Sequence, residues 1–351
     1  MRLFFFLLIP SLLFLTGCPD ASTPVENNWP PILESWSIAE LSTLPEGIQN
    51  EINFFDINDG IVFGRGIWFS DDGGRNWTER SPQADIIVDA ISFENYQQGI
   101  ISFHTGDGSN TPFTIFIAQT SDAGQNWNIG QVLDFDVPLS DLYFIDGFDG
   151  FAIVEGAPNE FYRSLDGGAS WEIVEGIEPK SAAFSERADN QSIQFIDKQI
   201  GYVLAANGNN WYKTIDGGES WSSAPIGAFS PRSYQFLSED SVYFLAERLY
   251  LSTDGGTTAE LVSQAIFDSF LALPNASIMG MRYKRFDGSN PAQSLNFYTL
   301  SYKEVGSSSW LESQEVVNYY FEAYVSTGPT QILGLAIDQQ TAERKLYRLQ
   351  K

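Results

Sequence analysis

The sequence predicts an all-β fold, a seven-bladed β-propeller of four-stranded antiparallel blades, with six or eight blades as alternative counts. Three observations lead there. An acidic turn recurs as "FSDDGGRNW", "TSDAGQNW", "RSLDGGASW", "KTIDGGESW" and "LSTDGGTTA", ending at Trp77, Trp127, Trp171, Trp221 and Ala259. Its aspartates, Asp72, Asp122, Asp166, Asp216 and Asp254, stand 50, 44, 50 and 38 residues apart, the spacing of propeller blades. Between them a second pattern repeats: apolar strand, polar turn, apolar strand.

That second pattern reads "INFFDINDGIVFG", "ISFENYQQGIISF", "LYFIDGFDGFAIV", "IQFIDKQIGYVLA" and "YQFLSEDSVYFLA". Each unit is therefore strand, turn, strand, variable loop, third strand, acidic turn, and a fourth strand starting near Trp. Four antiparallel strands in series make one blade. Two worn units follow. "SIMGMRY" pairs with "SLNFYTLSYKEVGSSSWLES", which keeps Gly306 and Trp310 without the Asp. "YYFEAYVS", "QILGLAID" and "KLYRL" then supply three strands. A fourth is needed to cover the exposed edge. "SWSIAEL", Ser35 to Leu41, is placed to supply it, so residues 33–351 form the ring.

The acidic turn has a local explanation. Asp before Gly-Gly can accept hydrogen bonds from its own turn. The glycines allow positive φ. The Trp offers a large ring to the neighbouring blade. The five aspartates are thus expected to be structural pins. The fifth copy, with Ala259 for Trp, is expected to pack less well.

The chain has 351 residues, 43% hydrophobic and 15% aromatic, enough for a sizeable core. Asp and Glu number 45 against 19 Lys and Arg, a net charge of -26. Such a surface repels phosphate backbones and excludes nucleic acid as a partner. Cys18 is the single cysteine, so no intrachain disulfide forms. It follows Met1-Arg2, the apolar "LFFFLLIPSLLFL" and Thr16-Gly17, which together read as a secretory signal. Leu15-Thr16-Gly17-Cys18 resembles the lipobox of bacterial lipoproteins. The resemblance implies a signal peptide at 1–17, acylation of Cys18 and a tether at 18–32, rich in Pro, Asn, Ser and Thr. A monomer in the bacterial cell envelope, periplasmic or surface-exposed and held at the membrane by that lipid, is expected.

The pattern S/T-x-D-x-G-x-x-W resembles the Asp-box, or BNR repeat, of sialidases, sortilin-type receptors, several glycoside hydrolases and the photosystem II assembly and stability factor-like proteins. "FIDKQIGYVL" followed by "YKTIDGGESW", within Phe195 to Trp221, is most similar to the last group. The resemblance covers most of Phe54 to Ala259. It implies a propeller that docks on a maturing membrane protein. Photosynthetic members are expected to carry a basic patch, and this chain departs from them in being acidic.

In a four-stranded meander the first and third turns share one face. The second turn and the blade connections share the other, and the long irregular segments fall there: "HTGDGSNTP", "EGIEPKSAAFSERADNQ" and "KRFDGSNPAQS". Long loops on a rigid scaffold favour binding. The candidate ligand face is therefore His104, Asp107, Glu155, Glu186, Arg187, Arg285 and Asp287. A sialidase would need three arginines and a Phe/Tyr-Arg-Ile-Pro motif; "FGRGIW" at Arg65 lacks the Ile-Pro. The alternative is a glycoside hydrolase with two carboxylates roughly 5–10 Å apart, drawn from Asp107, Glu155, Glu186, Asp189 and Asp287. "DINDG" at Asp56 and "DGFDG" at Asp146 lack full calcium-loop spacing and read as hairpin turns. His104 is the only histidine, so no His-rich metal site forms. Neither metal nor cofactor is expected. The reading is a non-catalytic module that binds an envelope protein or glycan.

Overall fold

A computed structural model describes residues 37–105, 114–133, 137–156, 158–180, 192–227, 231–273, 277–286, 295–304, 307, 310–312, 316–317, 319–328, 331–338 and 343–350. They form seven antiparallel sheets around one ring, with no helix among the described residues.

Strand β1 (Ser37–Thr43) comes first. Blade 1 holds β2–β5 (Ile48–Phe54, Gly60–Gly64, Gly66–Ser70, Thr78–Glu79). Blade 2 holds β6–β9 (Ile86–Phe93, Gly99–Thr105, Ile115–Thr120, Asn128–Leu133). Blade 3 holds β10–β13 (Leu139–Phe144, Gly150–Val154, Glu160–Ser164, Glu172–Ile173). Blade 4 holds β14–β17 (Ile193–Phe195, Gly201–Leu204, Asn210–Thr214, Ser222–Pro225). Blade 5 holds β18–β21 (Ser233–Phe236, Val242–Leu245, Leu249–Ser252, Glu260–Leu261). Blade 6 holds β22–β25 (Ser269–Ala272, Ile278–Phe286, Leu295–Lys303, Leu311–Glu312), with β26 (Val316–Val317) also pairing β24. Blade 7 holds β27–β29 (Tyr319–Gly328, Gln331–Asp338, Arg344–Gln350) and takes β1 as its outermost strand.

The first and last described strands thus meet in one blade, with Ser37 opposite Gln350 and Thr43 opposite Lys345. This leaves the edge of β29 paired rather than open. Because β29 ends where a third turn would start, Ser37 lies on the same face as the acidic turns.

The blades stack through apolar clusters made by one blade's second and third strands and the next blade's first and second. Ile61, Phe63 and Phe69 of blade 1 meet Ile86, Val88 and Phe103 of blade 2. Phe151, Ile153 and Phe161 of blade 3 meet Ile193 and Val203 of blade 4. Leu333, Leu335 and Leu346 close the ring against Ile52, Phe54 and Val62 of blade 1. The second strands are buried on both faces, as in "GFAIV" of β11 and "GYVL" of β15, which explains their unbroken apolar runs.

At five junctions a third-strand residue shares an apolar cluster with the Trp position of the next blade: Ile67 with Trp127, Ile117 with Trp171, Phe161 with Trp221, Trp211 with Ala259 and Leu249 with Trp310. Ala259 packs against the cluster that holds Trp211. Trp211, fully buried, comes from the previous blade to fill the space that a tryptophan fills elsewhere. The second glycine of the turn makes room for it: a Cβ on Gly256 would lie 2.6 Å from Trp211 Nε1.

Candidate functional site

The acidic turns are built alike. A Ser or Thr two residues before the Asp donates its hydroxyl to Oδ1 at 2.7–3.0 Å: Ser70, Thr120, Ser164, Thr214 and Ser252. The same hydroxyl accepts the N–H of the glycine two residues after the Asp. Four residues after the Asp, the backbone N–H of Asn76, Asn126, Ser170, Ser220 or Thr258 donates to Oδ1, and its side chain donates to Oδ2. That polar position before the Trp is part of the turn. Its signal in the sequence is Asn, Ser or Thr in all five copies.

These donors hold the carboxyls below the ordinary aspartate range. For Asp122, Asp166, Asp216 and Asp254 the largest cause is the side chain four residues on, and Asp216 falls to about 2. At Asp72 burial is the largest single influence and pushes upward, but Asn76, Ser70 and Arg75 together outweigh it. A carboxylate so engaged is an acceptor already filled, and a poor general acid.

The first turns on the same face are pinned similarly. Asp56 Oδ1 accepts the N–H groups of Asn58 and Asp59, and Asp146 Oδ1 those of Phe148 and Asp149. Among the described residues no group of three or more His, Cys, Asp and Glu is placed to hold a metal ion.

Of the proposed ligand residues, His104, Glu155 and Arg285 lie among the described residues. His104 does not stand on a loop. It is a residue of β7, buried, with Nδ1 2.7 Å from Asp89 Oδ1. Asp89 is the extra residue of a bulge between Val88 and Ala90, where blade 3 has Ser140. Burial raises the Asp89 carboxyl, with His104 pulling the other way. Glu155 follows β11 and is half-buried. Arg285 lies within β23, opposite Asn296, so the strand extends through a stretch expected to be loop. Nine consecutive pairs between β23 and β24 carry it there. Asp107, Glu186, Arg187, Asp189, Asp287 and Cys18 lie outside the described residues.

The structure adds polar groups that the sequence reading missed. Asp141 of β10 accepts the N–H of Ile193 in the next blade at 3.0 Å and that of Leu142 at 2.9 Å. It is half-buried along the inner strands, and desolvation pushes it up to about 6 against three backbone donors. Gln194 pairs with both backbone groups of Phe236, and Gln235 with both of Ala272. Each side-chain amide satisfies the inner edge of the following blade as a backbone strand would.

No protein-family model matches the chain, and no curated protein matches it in sequence. Solved structures do match. YCF48 bound to a D1 peptide shares 15% identity at a TM-score of 0.58, over 92% of this chain and 99% of that one. The GH74 enzyme of Niastella koreensis shares 12% at 0.58, over 86% of this chain and 53% of that one, so this chain spans about half the enzyme. The WD40 propeller domain of Doa1 shares 10% at 0.50, over 88% and 96%. At such identities the likeness establishes the propeller fold alone, and a propeller hosts many functions.

Proposed function

We propose that this chain is a lipid-anchored, extracytoplasmic propeller of the Asp-box kind, akin to the photosystem II assembly and stability factor-like proteins, and that it binds a protein or glycan without catalysis. The observation that carries the reading is a fold match over 92% of this chain and 99% of the other to a propeller bound to a peptide. The acidic turns support it. Their carboxylates are engaged in holding the hairpins, so they are ill-suited to chemistry. The net charge of -26 favours a cationic partner over nucleic acid.

The anchor reading rests on Cys18 after Leu15-Thr16-Gly17. Ser37, opposite Gln350, turns the entry of the ring toward the acidic-turn face.

Two measurements test the proposal. Cells expressing the full chain are fed an alkyne fatty acid; the label is expected on the wild type and absent from Cys18→Ser, which leaves the membrane fraction. Purified chain is then incubated with a panel of β-glucans, including xyloglucan. No reducing ends above background are expected. Steady release of them would overturn the non-catalytic reading.

A further inference from the structure

We infer that the acidic-turn face of blades 3 and 4 is a docking surface for a protein segment carrying apolar anchors among Lys and Arg side chains. The inference rests on the binding-module reading above and names its site and the chemistry of its partner. Phe148, Leu165 and Ile215 are the apolar side chains there, exposed to 70%, 66% and 66%. Phe148 and Leu165 stand on two turns of blade 3 joined by the bond from Gly167 N–H to the Phe148 carbonyl, 2.9 Å. Ile215 stands on the matching turn of blade 4. Arg163 of blade 3 links the two blades by donating to the Gly217 and Gly218 carbonyls.

The fold does not require apolar residues at these places. The positions equivalent to Leu165 and Ile215 are Asp71, Ser121 and Thr253 in blades 1, 2 and 5. Their hydroxyl-to-aspartate bonds are 3.0, 3.0 and 2.8 Å, against 2.9 and 2.7 Å in blades 3 and 4. The carbonyl role of Phe148 falls to Asn58, Gln97, Gln199 and Asp240 in blades 1, 2, 4 and 5. Five blades solve the same turn, and two of them solve it with large side chains held in water. Adjacent exposed apolar groups of this kind mark an interaction surface.

The charge around them selects the partner. Asp166, Asp197, Asp216 and Glu219 lie on the turns of these two blades, and three of the four are acids that the hairpins keep ionised. Against them stand Lys198, Arg163, paired with Asp149 at 2.7 Å, and Lys213, paired with Glu239 at 2.6 Å. An anionic lipid surface, or a second copy of this chain at -26, meets like charge here. A segment with basic residues between its apolar anchors meets complementary charge and apolar contacts together.

The test places a photo-crosslinking amino acid at position 165, 215 or 266 of the full-length chain in cells that make it. Ile266 is as exposed as the patch but lies in the connection between blades 5 and 6, on the other face. Crosslinks are expected from 165 and 215 and not from 266, to a protein segment that mass spectrometry reads as rich in Lys or Arg and apolar residues. The yield from 165 is expected to fall at least about ten-fold when Phe148→Ser and Ile215→Ser are added, since the charge is unchanged and only apolar contact is lost. The unfolding midpoint of that variant, expected to stay at the wild-type value, shows that the fold survives. Crosslinks from 266 alone overturn the site and leave the binding reading standing. Lipid or a second copy as the product from 165 and 215 overturns the partner. A yield indifferent to the serines overturns the apolar role, and silence at all three positions overturns both the site and the binding reading.

Discussion

The junction between blades 3 and 4 and the junction between blades 4 and 5 solve one packing problem in opposite ways. In the first, Phe161 of β12 meets Trp221 at 5.4 Å, nearly edge-on. In the second, the larger ring has moved across the gap. Trp211 of β16 is buried against Tyr234 and Phe236, at 4.6 and 5.3 Å, and the facing residue is Ala259. The inner ends differ too. Asp141 ties blade 3 to blade 4 through Ile193, whereas Gln194 ties blade 4 to blade 5 through Phe236. What is kept between junctions is a buried aromatic contact and a hydrogen-bonded inner edge, not residue identity.

The largest effect is expected at Trp211. Its ring is fully buried and its facing neighbour is already small, so removing it leaves a cavity. Trp211→Ala is expected to cost about 3–5 kcal/mol in denaturant unfolding. Trp221 is only half-buried, and Trp221→Ala is expected to cost about 2–3 kcal/mol. Equal losses at the two sites would mean that the junctions are not asymmetric.

Restoring the consensus residue supplies a sharper test. Ala259→Trp alone puts two indole rings where one fits and is expected to destabilise by about 1–3 kcal/mol. Adding Trp211→Phe recreates the arrangement of blades 3 and 4, and the double variant is expected within about 1.5 kcal/mol of wild type. The coupling is read from the double-mutant cycle. Additive losses would break the idea of a volume exchange.

How much of this was legible depended on the range of the contact. The acidic turns could be read because Asp72 or Asp216 finds its donors within four residues. The blade count followed from the repeat and from the missing last strand. Arg285 reads as loop in the sequence because its polar neighbours hide a nine-pair hairpin, whose partner strand is read only across the gap. The Asp89–His104 pair, the Asp141 bond to Ile193 and the Gln194 bond to Phe236 join residues 15, 52 and 42 positions apart, and no local spacing encodes them. The exchange at Trp211 did leave a signal. Aligning the third strands sets Trp211 beside Ile67, Ile117, Phe161 and Leu249, and the one outsized residue precedes the one blade lacking its tryptophan.

The smallest effect separates the two inner ties by pH. The folded chain holds Asp141 at about 6, above its ordinary 3.8, so folding favours the protonated carboxyl. Its contribution is fully present below about pH 3.8 and is lost as pH rises through about 6. A shift of this size corresponds to about 3 kcal/mol, which water reaching the half-buried group reduces to about 1–2 kcal/mol. Asp141→Asn keeps an acceptor for Ile193 without a titrating proton. Its stability relative to wild type is therefore expected to improve by that amount between pH 4.5 and 7. The acidic turns stay ionised across this window, because their carboxyls are held low. Asp89 and His104 occur in both chains and cancel in the difference. Gln194→Ala leaves the Phe236 N–H unpaired and is expected to cost about 1 kcal/mol at every pH in the window. Parallel pH curves for wild type and Asp141→Asn would show that the two ties are equivalent, and that the carboxylate between blades 3 and 4 is as indifferent to protons as the amide between blades 4 and 5.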